Sequence, residues 1–530
     1  MPRTAPNPPT MDMEAAAPPH RKKSRREAPD AQDPEHPARV PAAAAGEVPH
    51  FESTTKLDGS RSQEHPPPEA GGDGGEGVDR ISGLPDAILG EIVSLLSTKE
   101  AARTQTLASR WRHVWRAAPL VLDGIDLAAK DLPAGEVILK AADEALAGVV
   151  SLIISAHQGP GRRFCIPPNH LHDRPATVDA WLRSPALDNL QELDFCDYWF
   201  VRPFPPARPP ESTFRFSATL RVATFTKCLL LDSSVEALRF PQLKQLALQY
   251  VCVSEGSLHT MISSCPVLEC LLLKSSYGFS SLQITSSSLR SIGLGGGLGG
   301  THDVNKTHLR EFVIVDAPCL ERLLFLQQYA AINVSVIAAP KLETLGCLTG
   351  DLDALRLVFG STTIQGLQVI NLTTVVRNVK ILAVEAWPIN LDVVIDLLKC
   401  FPCLEKLYIK GCISGEMNRW SRKHRQFIKC FDICLKTVVL EMYRGIRSQV
   451  NFASFFLLNA SKLELMTLEV ENRADNEAFF AEQYRLLQMD KRASRSARLH
   501  FTTDRCIRDV HVNHVRDLAI TDPFKCSCRH

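Results

Sequence analysis

The chain has 530 residues, 45% of them hydrophobic, and its 60 basic and 59 acidic side chains leave a formal net charge of +1. This length is too great for one ordinary hydrophobic core, so we expect roughly three or four domains. A protein that coats nucleic acid usually carries a large positive charge, so the balanced charge disfavours that class. The sequence shows neither a secretory signal nor an apolar run near the roughly 20 residues of a membrane span. We therefore expect an intracellular protein without a membrane partner, whose sixteen cysteines are mostly reduced thiols.

The first part of the chain, residues 1–79, is rich in proline, alanine, glycine and charged residues, as in "HPPPEAGGDGGEGVD". Such a segment buries too little apolar surface to offset its ordering entropy, so we predict a disordered N-terminal tail. The basic cluster "HRKKSRR" (residues 20–26) is either a nuclear import signal or a solvated charge run. We accordingly predict a location in the nucleus and/or the cytoplasm.

Helical patterns begin in "DRISGLPDAILGEIVSLLSTKEAARTQTLASRWRHVWRAAPL". Leu84, Pro85 and Asp86 predict a helix start, with the proline in the first turn and the carboxylate near the positive end of the helix dipole. The stretch "STKE" (residues 97–100) is a capping box and predicts the start of a second helix. About forty residues form a poor core by themselves. We therefore predict a small three-helix domain over 80–120 that docks on another part of the chain or on another protein.

The stretch "SRWRHVWR" (residues 109–116) interleaves aromatic and basic residues, which is typical of a nucleic-acid surface or of one buried helix stripe. On a helix over 107–118, the apolar side chains that share one face are Leu107, Trp111, Val114, Trp115 and Ala118. The opposite face carries Arg112, His113 and Arg116. A nucleic-acid platform needs stacking rings and cations on the same face. The pattern therefore favours a buried stripe and no nucleic-acid partner.

An L-x-x-L-x-L pattern, often preceded by a proline, begins near residue 185 and recurs eleven times. The copies are "DNLQELDF", "ATLRVATF", "FPQLKQLAL", "CPVLECLLL", "SSSLRSIGL", "APCLERLLF", "APKLETLGC", "RNVKILAV", "FPCLEKLYI", "CLKTVVL" and "SKLELMTL". This is the signature of leucine-rich repeats, with one short strand per repeat. The spacing of consecutive copies varies from 21 residues (268 to 289) to 37 (342 to 379), so the array is irregular.

The repeats predict an α/β solenoid in which the leucines form a core column. Parallel strands line an open concave face, and helices or loops lie outside. We place the repeats at 121–395, a region that continues them at 396–470, and a C-terminal segment at 471–530. In "APKLETLGC" the third core position is predicted to be Cys347, whereas "DLDALRL" (residues 351–357) fits the pattern but not the spacing.

The side chains between the leucines project from the concave face, the surface with which solenoids bind macromolecules. The candidates for contact with a target protein are Gln245, Gln249, Lys274, Arg322, Lys406, Tyr408, Lys410 and Glu441. The alternative for each of them is an ordinary solvated strand side chain.

We looked for motifs of catalysis, cofactor binding and metal binding. "GGGLGG" (residues 295–300) matches a dinucleotide-binding loop formally, but no helical pattern follows it to face a pyrophosphate, so we interpret it as a loop. Cys400, Cys403, Cys430 and Cys434 could hold zinc. However, Cys403 occupies a variable repeat position, and the last two cysteines fit apolar helix spacing. We predict no metal, no cofactor and no enzymatic activity.

The segment "LPDAILGEIVSLLSTKEAARTQTLASRWRHVWR", followed by "APLVLD", closely resembles the F-box of plant proteins. The later "CLKTVVLEMYRGIRSQVNFASFFLLNASKLELMTLEV" resembles the core of the FBD domain, and "EQYRLLQMDKRASRSARLHF" is similar to the end of the same proteins. Together with the repeats, the chain after residue 79 resembles a plant F-box/FBD/LRR-repeat protein.

This resemblance implies a role as the substrate-recognition subunit of an SCF-type cullin E3 ubiquitin ligase. The F-box would dock on a Skp-type adaptor carried by the cullin scaffold, and the repeats would hold a target protein for ubiquitination. The positions that the resemblance assigns to adaptor binding or to the core of the F-box are Leu84, Pro85, Ile88, Leu89, Ile92, Leu96, Leu107 and Trp111. We hypothesise that Trp111 contacts the adaptor, while Trp115 anchors the F-box to the first repeat. The alternative is a repeat module that binds its target without recruiting a ligase.

Overall fold

The structure is a computed structural model of the chain. It describes residues 81, 83–128, 136–196, 205–296, 307–326, 331–413, 418, 432–470, 477–502 and 512–525. The predicted disordered tail and its basic cluster lie outside these residues, as does most of "GGGLGG". Among the described helices, none combines the length and the apolar character that crossing a membrane requires.

The first elements form a small helical unit. They are α1 (Asp86–Val93), α2 (Thr98–Arg103), a 3-10 turn (Thr104–Thr106) and α3 (Ser109–Ala117). Pro85 is the N-cap of α1, in agreement with the predicted helix start. The predicted capping box is also confirmed, since the Ser97 hydroxyl accepts from the amide of Glu100 and the Glu100 carboxylate accepts from the amide of Ser97.

The helical unit has its own apolar core. Its buried members are Leu89, Val93, Ala101, Val114, Trp115 and Ala118. The prediction of one helix over 107–118 is wrong at its start, because Ala108 is extended (φ −164°, ψ 166°) and α3 begins only at Ser109. Leu107 therefore lies in the preceding turn and is exposed, away from the stripe that contains Trp115.

The rest of the described chain alternates strands with short helices. The strands are β1 (Leu120–Asp123), β2 (Gly161–Ile166), β3 (Glu192–Phe195), β4 (Val222–Thr226), β5 (Gln245–Gln249), β6 (Cys270–Lys274), β7 (Ser281–Thr285), β8 (Ser291–Gly295), β9 (Glu311–Asp316), β10 (Arg322–Leu326), β11 (Ile332–Val336), β12 (Thr344–Thr349), β13 (Leu355–Phe359), β14 (Thr362–Gln365), β15 (Gln368–Asn371), β16 (Ile381–Ile389), β17 (Lys406–Ile413), β18 (Thr437–Tyr443), β19 (Leu465–Val470) and β20 (Arg498–Thr502). The α-helices are α4 (Gly124–Leu127), α5 (Glu136–Ala156), α6 (Asn169–Asp173), α7 (Pro175–Leu182), α8 (Asp232–Val235), α9 (Glu255–Ser263), α10 (Leu391–Cys400), α11 (Arg447–Asn459) and α12 (Glu477–Leu486). Further 3-10 turns are Pro185–Leu187, Glu211–Phe216, Met489–Lys491 and Val515–Ala519.

Fourteen strands of the described residues form one sheet, the main sheet, in the order β1-β2-β3-β4-β5-β6-β8-β10-β12-β16-β17-β18-β19-β20. All its neighbours are parallel, and one buried residue from each strand joins a continuous row. The row consists of Leu122, Phe164, Leu193, Ala223, Leu246, Leu271, Ile292, Leu323, Leu345, Leu382, Leu407, Val438, Met466 and Leu499. This is the predicted leucine column, and the eleven predicted copies all fall on strands of this sheet.

A second sheet of six described strands, in the order β15-β14-β13-β11-β9-β7, lies on the far side of the core. From β6 to β13 the chain alternates between the two sheets. The outer side of these repeats is therefore formed by a strand, whereas α9, α10 and α11 form the outer side of other repeats. The sequence did not predict this sheet. It explains "DLDALRL", because Leu355 and Leu357 lie on β13 and pair with β11.

One core position differs from the prediction. In β12 the register with β16 shifts, since Leu345 pairs with Leu382 but Leu348 pairs with Val384. One extra residue is accommodated as a bulge, where Gly346 has a φ of +132°. Leu348 is therefore buried in the core, and the predicted Cys347 turns towards the opposite face of the sheet.

Candidate functional site

Exposed apolar side chains collect on the helical unit. The exposed fractions are 49% for Ile88, 41% for Ile92, 81% for Leu95 and 68% for Leu107. Ile88 and Ile92 lie one helical turn apart on α1, and Leu95 follows in the turn after this helix. Contiguous exposed apolar groups mark interaction sites on soluble proteins. We call Ile88, Ile92, Leu95 and Leu107 the helical-unit face.

The eight predicted adaptor-binding positions differ in their exposure to solvent. Ile88, Ile92, Leu107 and Pro85 are exposed, whereas Leu84, Leu96 and Trp111 are half-buried and pack against the core of the unit. Leu89 is completely buried in that core, so of the two predicted roles, adaptor contact or packing within the unit, its position agrees with the second. It lies on the side of α1 that faces α3, where burial supports the fold of the unit rather than binding.

The basic residues of "SRWRHVWR" separate from its buried aromatic side chain, as predicted. Arg112, His113 and Arg116 are exposed, while Trp115 is buried in the core of the unit. Arg110 instead ties α3 to the start of α1, donating from Nε to Asp86 over 2.7 Å and from Nη2 to the carbonyl of Leu84. This arrangement does not present rings and cations on a common face.

The helical unit is joined to the start of the solenoid by buried contacts. The Thr98 hydroxyl donates to the carbonyl of Val121 (3.1 Å) and accepts from the amide of Asp123 (2.8 Å), which attaches α2 to β1. The indole of Trp115 meets the imidazole of His157, which follows α5, with ring centroids 5.5 Å apart. Both contacts fix the direction in which the helical-unit face points relative to the repeats.

His157 is held as a neutral imidazole at this junction. Its Nε2 lies 2.8 Å from the carbonyl oxygen of Ala118, to which it donates, whereas Nδ1 is buried without a hydrogen-bond partner. Burial lowers the pKa of His157 below its ordinary value and outweighs the opposite effect of the hydrogen bond to Ala118. A proton on Nδ1 would also have no acceptor there, so the charged imidazole gains no second hydrogen bond to offset its burial.

The concave face, defined as the face of the main sheet turned away from the core, is not open as predicted. Residues 512–525, which we call the C-terminal strap, lie across it. A second apolar cluster is formed between the two, with Val512, Val515, Leu518 and Phe524 from the strap and Val222, Ala247, Cys270, Leu272, Leu324, Leu326 and Ala383 from the strands. The expectation of an open face is therefore wrong for this part of the sheet.

The centre of the strap is anchored by Leu518. Its side chain lies over Gly293 of β8, where a Cβ atom would come within 2.9 Å of Leu518 Cδ2. The backbone carbonyl of Leu518 accepts from Arg322 Nε over 3.0 Å. Gly293 thus gives the leucine room, and Arg322 satisfies a carbonyl that the 3-10 turn leaves unpaired.

Opposite charges hold the two ends of the strap. At its start, His514 Nε2 lies 3.1 Å from Asp194 Oδ1, and Arg516 pairs with Glu192. At its end, the Asp522 carboxylate accepts from Lys406 Nζ over 2.8 Å and from the Tyr408 hydroxyl over 2.9 Å. The rings of Tyr408 and Phe524 are 5.7 Å apart. The strap therefore runs from β3 towards β17. Its first part pairs a basic side chain with carboxylates of β3, and its last part pairs a carboxylate with a lysine of β17.

The contact between His514 and Asp194 defines a tautomer. His514 Nδ1 accepts from the amide of Arg516 over 3.1 Å, so the proton of the neutral imidazole lies on Nε2, which donates to Asp194. Burial raises the pKa of Asp194, but the hydrogen bond from His514 and the charge of Arg163 outweigh it and lower the pKa below its ordinary value. Asp194 is consequently a carboxylate in the folded chain.

The predicted target-binding residues fall into two groups. Arg322, Lys406 and Tyr408 bind the strap. The others are Gln245, Lys274 and Glu441, which are half-buried on β5, β6 and β18, Gln249, which is buried, and Lys410, whose Nζ lies 3.5 Å from Glu385. Their role in target binding stays a prediction.

The sequence contained an unused signal for the covered face. Strands β6 ("CLLLK") and β10 ("RLLFL") are apolar at positions that point away from the core, namely Leu272, Leu324 and Leu326. A strand of a sheet that is solvated on one face alternates apolar and polar residues, whereas a strand buried on both faces does not. These continuous runs therefore indicated a cover over the concave face.

No group of three or more histidine, cysteine or acidic side chains positioned to hold a metal occurs within the part of the chain that the structure describes. Of the four cysteines considered for zinc, Cys430 lies outside that part. Cys400 is buried in the repeat core, and burial raises the pKa of its thiol to about 12.

The fold and these two surfaces define a leucine-rich-repeat protein that carries a small helical unit with an exposed apolar face at the start of its solenoid. Known families agree with this class. The family model "FBD-associated F-box protein At5g56370, LRR repeats" matches residues 178–409, and the FBD model matches residues 423–468. Over these residues the chain is similar to the F-box/FBD/LRR-repeat proteins of plants.

Individual relatives from Arabidopsis thaliana extend the comparison. The FBD-associated F-box protein At5g56370 is 30% identical over 197 residues, which cover 36% of this chain and 42% of the relative. The F-box/FBD/LRR-repeat protein At1g13570 is 30% identical over 220 residues, 40% of this chain and 48% of the relative. An F-box protein, At3g58860, is 25% identical over 441 residues, 75% of this chain and 90% of the relative. The chain thus spans about half the length of the first curated relatives that it matches.

Proposed function

We propose that the chain is the substrate-recognition subunit of an SCF-type cullin E3 ubiquitin ligase. In this role the helical unit is an F-box that binds a Skp-type adaptor, and the repeats bind a target protein. The chain itself carries out no chemistry, because ubiquitin transfer belongs to other subunits. We propose that it acts in the nucleus and/or the cytoplasm.

The observation that carries the proposal is the helical-unit face. Ile88 and Ile92 are about half-exposed although the same helix buries Leu89 and Val93, so the unit is already complete without them. Their exposure therefore has no structural reason within the described chain, and a partner that buries the remaining apolar surface would stabilise the complex by about 1 kcal/mol for each side chain, roughly half the value for a fully exposed one. The likeness to the F-box protein At3g58860, which covers 75% of this chain, supports the assignment of the helical unit as an F-box.

Binding of the full chain to a purified Skp-type adaptor tests this proposal. We expect Ile88→Asp and Ile92→Asp to weaken the binding at least about tenfold each, because each places a charge in an interface that excludes water. Ile337→Asp is the control, since Ile337 is also an exposed isoleucine, at 68%, but lies after β11, outside the helical unit. It should bind the adaptor as the wild type does.

The alternative of a repeat module that recruits no ligase predicts a different result. In that case the folded wild-type chain binds no Skp-type adaptor, and the two aspartate variants cannot be distinguished from Ile337→Asp. Either outcome would contradict the proposed function.

A further inference from the structure

The C-terminal strap covers the surface that the proposed function assigns to a target. Three of the residues predicted to bind a target, Arg322, Lys406 and Tyr408, already bind groups of the strap. A target protein on this part of the concave face and the strap therefore exclude one another.

The strap is separate from the core that holds the solenoid together. The leucine row and the two sheets enclose one apolar cluster, and the strap contributes to a different and smaller one. Between its anchors Leu518 and Asp522 the strap is exposed at Ala519, Ile520 and Thr521. Its removal would uncover Leu272 and Leu324 without opening the row of leucines behind them.

The contacts of the strap divide the concave face into three subsites. An acidic subsite, Glu192 and Asp194, holds a basic group. An apolar subsite of Leu272, Gly293 and Leu324 holds two aliphatic side chains three residues apart, Val515 and Leu518. A third subsite, Lys406 with Tyr408, holds a carboxylate and an aromatic ring.

We propose that the strap is an internal pseudo-ligand, and that a target is recognised by a peptide segment of the same chemistry that displaces it. Such a segment carries two aliphatic residues three apart with a basic residue directly after the first of them, followed by an acidic residue near an aromatic one, as in Val515, Arg516, Leu518, Asp522 and Phe524 of the strap. The inference deepens the proposed function, on which it rests for the identity of the repeat surface as the target site. The strap then sets a minimum affinity for targets, since only a segment that displaces it is held for ubiquitination.

The physical basis of this minimum affinity is the tether. Because the strap belongs to the same chain, its effective concentration at the concave face is on the order of millimolar. A free segment with identical contacts binds only the fraction of molecules whose strap has left the face, so its apparent affinity falls by that fraction. Loosening the strap should therefore raise the affinity for a free segment.

A labelled synthetic peptide of residues 512–525 ("VNHVRDLAITDPFK") is the probe, and the full chain is the receptor. We expect the Leu518→Asp chain to bind this peptide at least about tenfold more tightly than the wild-type chain, because its own strap no longer fits over Gly293. Ile520→Asp is the matched control, since Ile520 belongs to the strap but is 44% exposed. It should leave binding at the wild-type level, and a peptide carrying Leu518→Asp should bind neither chain.

A second variant tests the same point without a charge in the apolar subsite. The full chain with Arg516→Ala and Asp522→Ala loses one polar anchor at each end of the strap, keeping only that of His514, and should bind the wild-type peptide about tenfold more tightly than the unchanged chain. Hydrogen exchange of β6 shows that the repeats of each variant remain folded. If neither folded variant binds the peptide more tightly than the wild type, the strap is a fixed part of the fold and the inference is overturned.

Selection from a random peptide library against the Leu518→Asp chain tests the target chemistry. Enrichment of two aliphatic residues three apart with a basic residue between them, followed by an acidic residue near an aromatic one, supports the proposed segment, and enrichment of any other pattern, or of none, overturns it. Neither experiment involves the helical unit. If the peptide experiments fail while the chain binds the adaptor, the ligase proposal stands and the strap proposal does not. If the peptide experiments succeed while the chain binds no adaptor, the strap proposal stands without the ligase role.

Discussion

The indole of Trp115 meets the imidazole of His157 edge to face, with ring centroids 5.5 Å apart and an interplanar angle of 85°. This contact lies where the helical unit joins the repeats, and Ile153 of α5 packs beside it. It agrees with the part of the hypothesis that assigned Trp115 to anchoring. Trp111, the residue assigned to the adaptor, is half-buried, and its role stays a prediction.

The junction should weaken in mild acid. Because burial lowers the pKa of His157, the folded chain favours the neutral imidazole, and its stabilising effect is complete only above the ordinary value of about 6.5. As the pH falls from that value to the lowered pKa of His157 in the folded chain, this contribution to the free energy of unfolding is lost. His157→Gln keeps a donor for Ala118 but does not titrate. We expect its melting temperature to fall less than that of the wild type between pH 7.5 and pH 5, and parallel curves would contradict this account.

Leu89 and Ile92 should separate folding from binding. Leu89→Ala removes a completely buried side chain and should cost about 2–5 kcal/mol, whereas Ile92→Ala at an exposed position should cost less than about 1 kcal/mol. Hydrogen exchange of α1 and α3 measures this difference, with at least about thirtyfold faster exchange expected for Leu89→Ala. Equal protection in the two variants would show that Leu89 does not support the unit.

The Thr98 hydroxyl should be necessary for the attachment of α2 to β1. Thr98→Val keeps the shape but leaves the amide of Asp123 without its acceptor, which should cost about 1–3 kcal/mol. Thr106→Val is the control, because the Thr106 hydroxyl is exposed and donates only locally to the Arg103 carbonyl. Thermal unfolding should distinguish the two variants, and equal melting temperatures would contradict the assignment.

The absence of a side chain at Gly293 should be necessary for Leu518 of the strap to pack against the main sheet. Gly293→Val would place its branched side chain where Leu518 lies, so the amides of the 3-10 turn Val515–Ala519 should exchange faster while those of β8 keep their protection. Gly148→Val serves as the control, since a Cβ at Gly148 of α5 meets no atom within 4 Å. Unchanged exchange of the turn in Gly293→Val would contradict the described packing.

Periodic and capping patterns predicted the parts of the fold that depend on local sequence. The capping box at Ser97 and the leucine row both arise from neighbouring residues in the chain, so their patterns are visible without tertiary structure. Leu348 replaced the predicted Cys347 because a bulge added one residue, and a fixed spacing rule cannot anticipate a bulge.

The concave face was less predictable because its cover comes from far along the chain. Leu518 and Arg322 are 196 residues apart in sequence, and no local pattern connects them. The apolar runs of β6 and β10 indicated that something covers the face but not which segment does. Similarly, the sequence could not show that Leu89 is buried and Ile92 exposed. Both fit the helical spacing, and only the position of α3 buries one of them.

Recovery of ligase components with the chain is the most direct test of the central claim. A tagged full-length chain would be purified from plant cells, and the Skp-type adaptor and the cullin that accompany it would be quantified. We predict that both proteins are recovered with the wild type and with Ile337→Asp, and that Ile88→Asp/Ile92→Asp reduces both at least about tenfold. Recovery of neither protein with the wild type, or equal recovery with the double variant, would contradict the account.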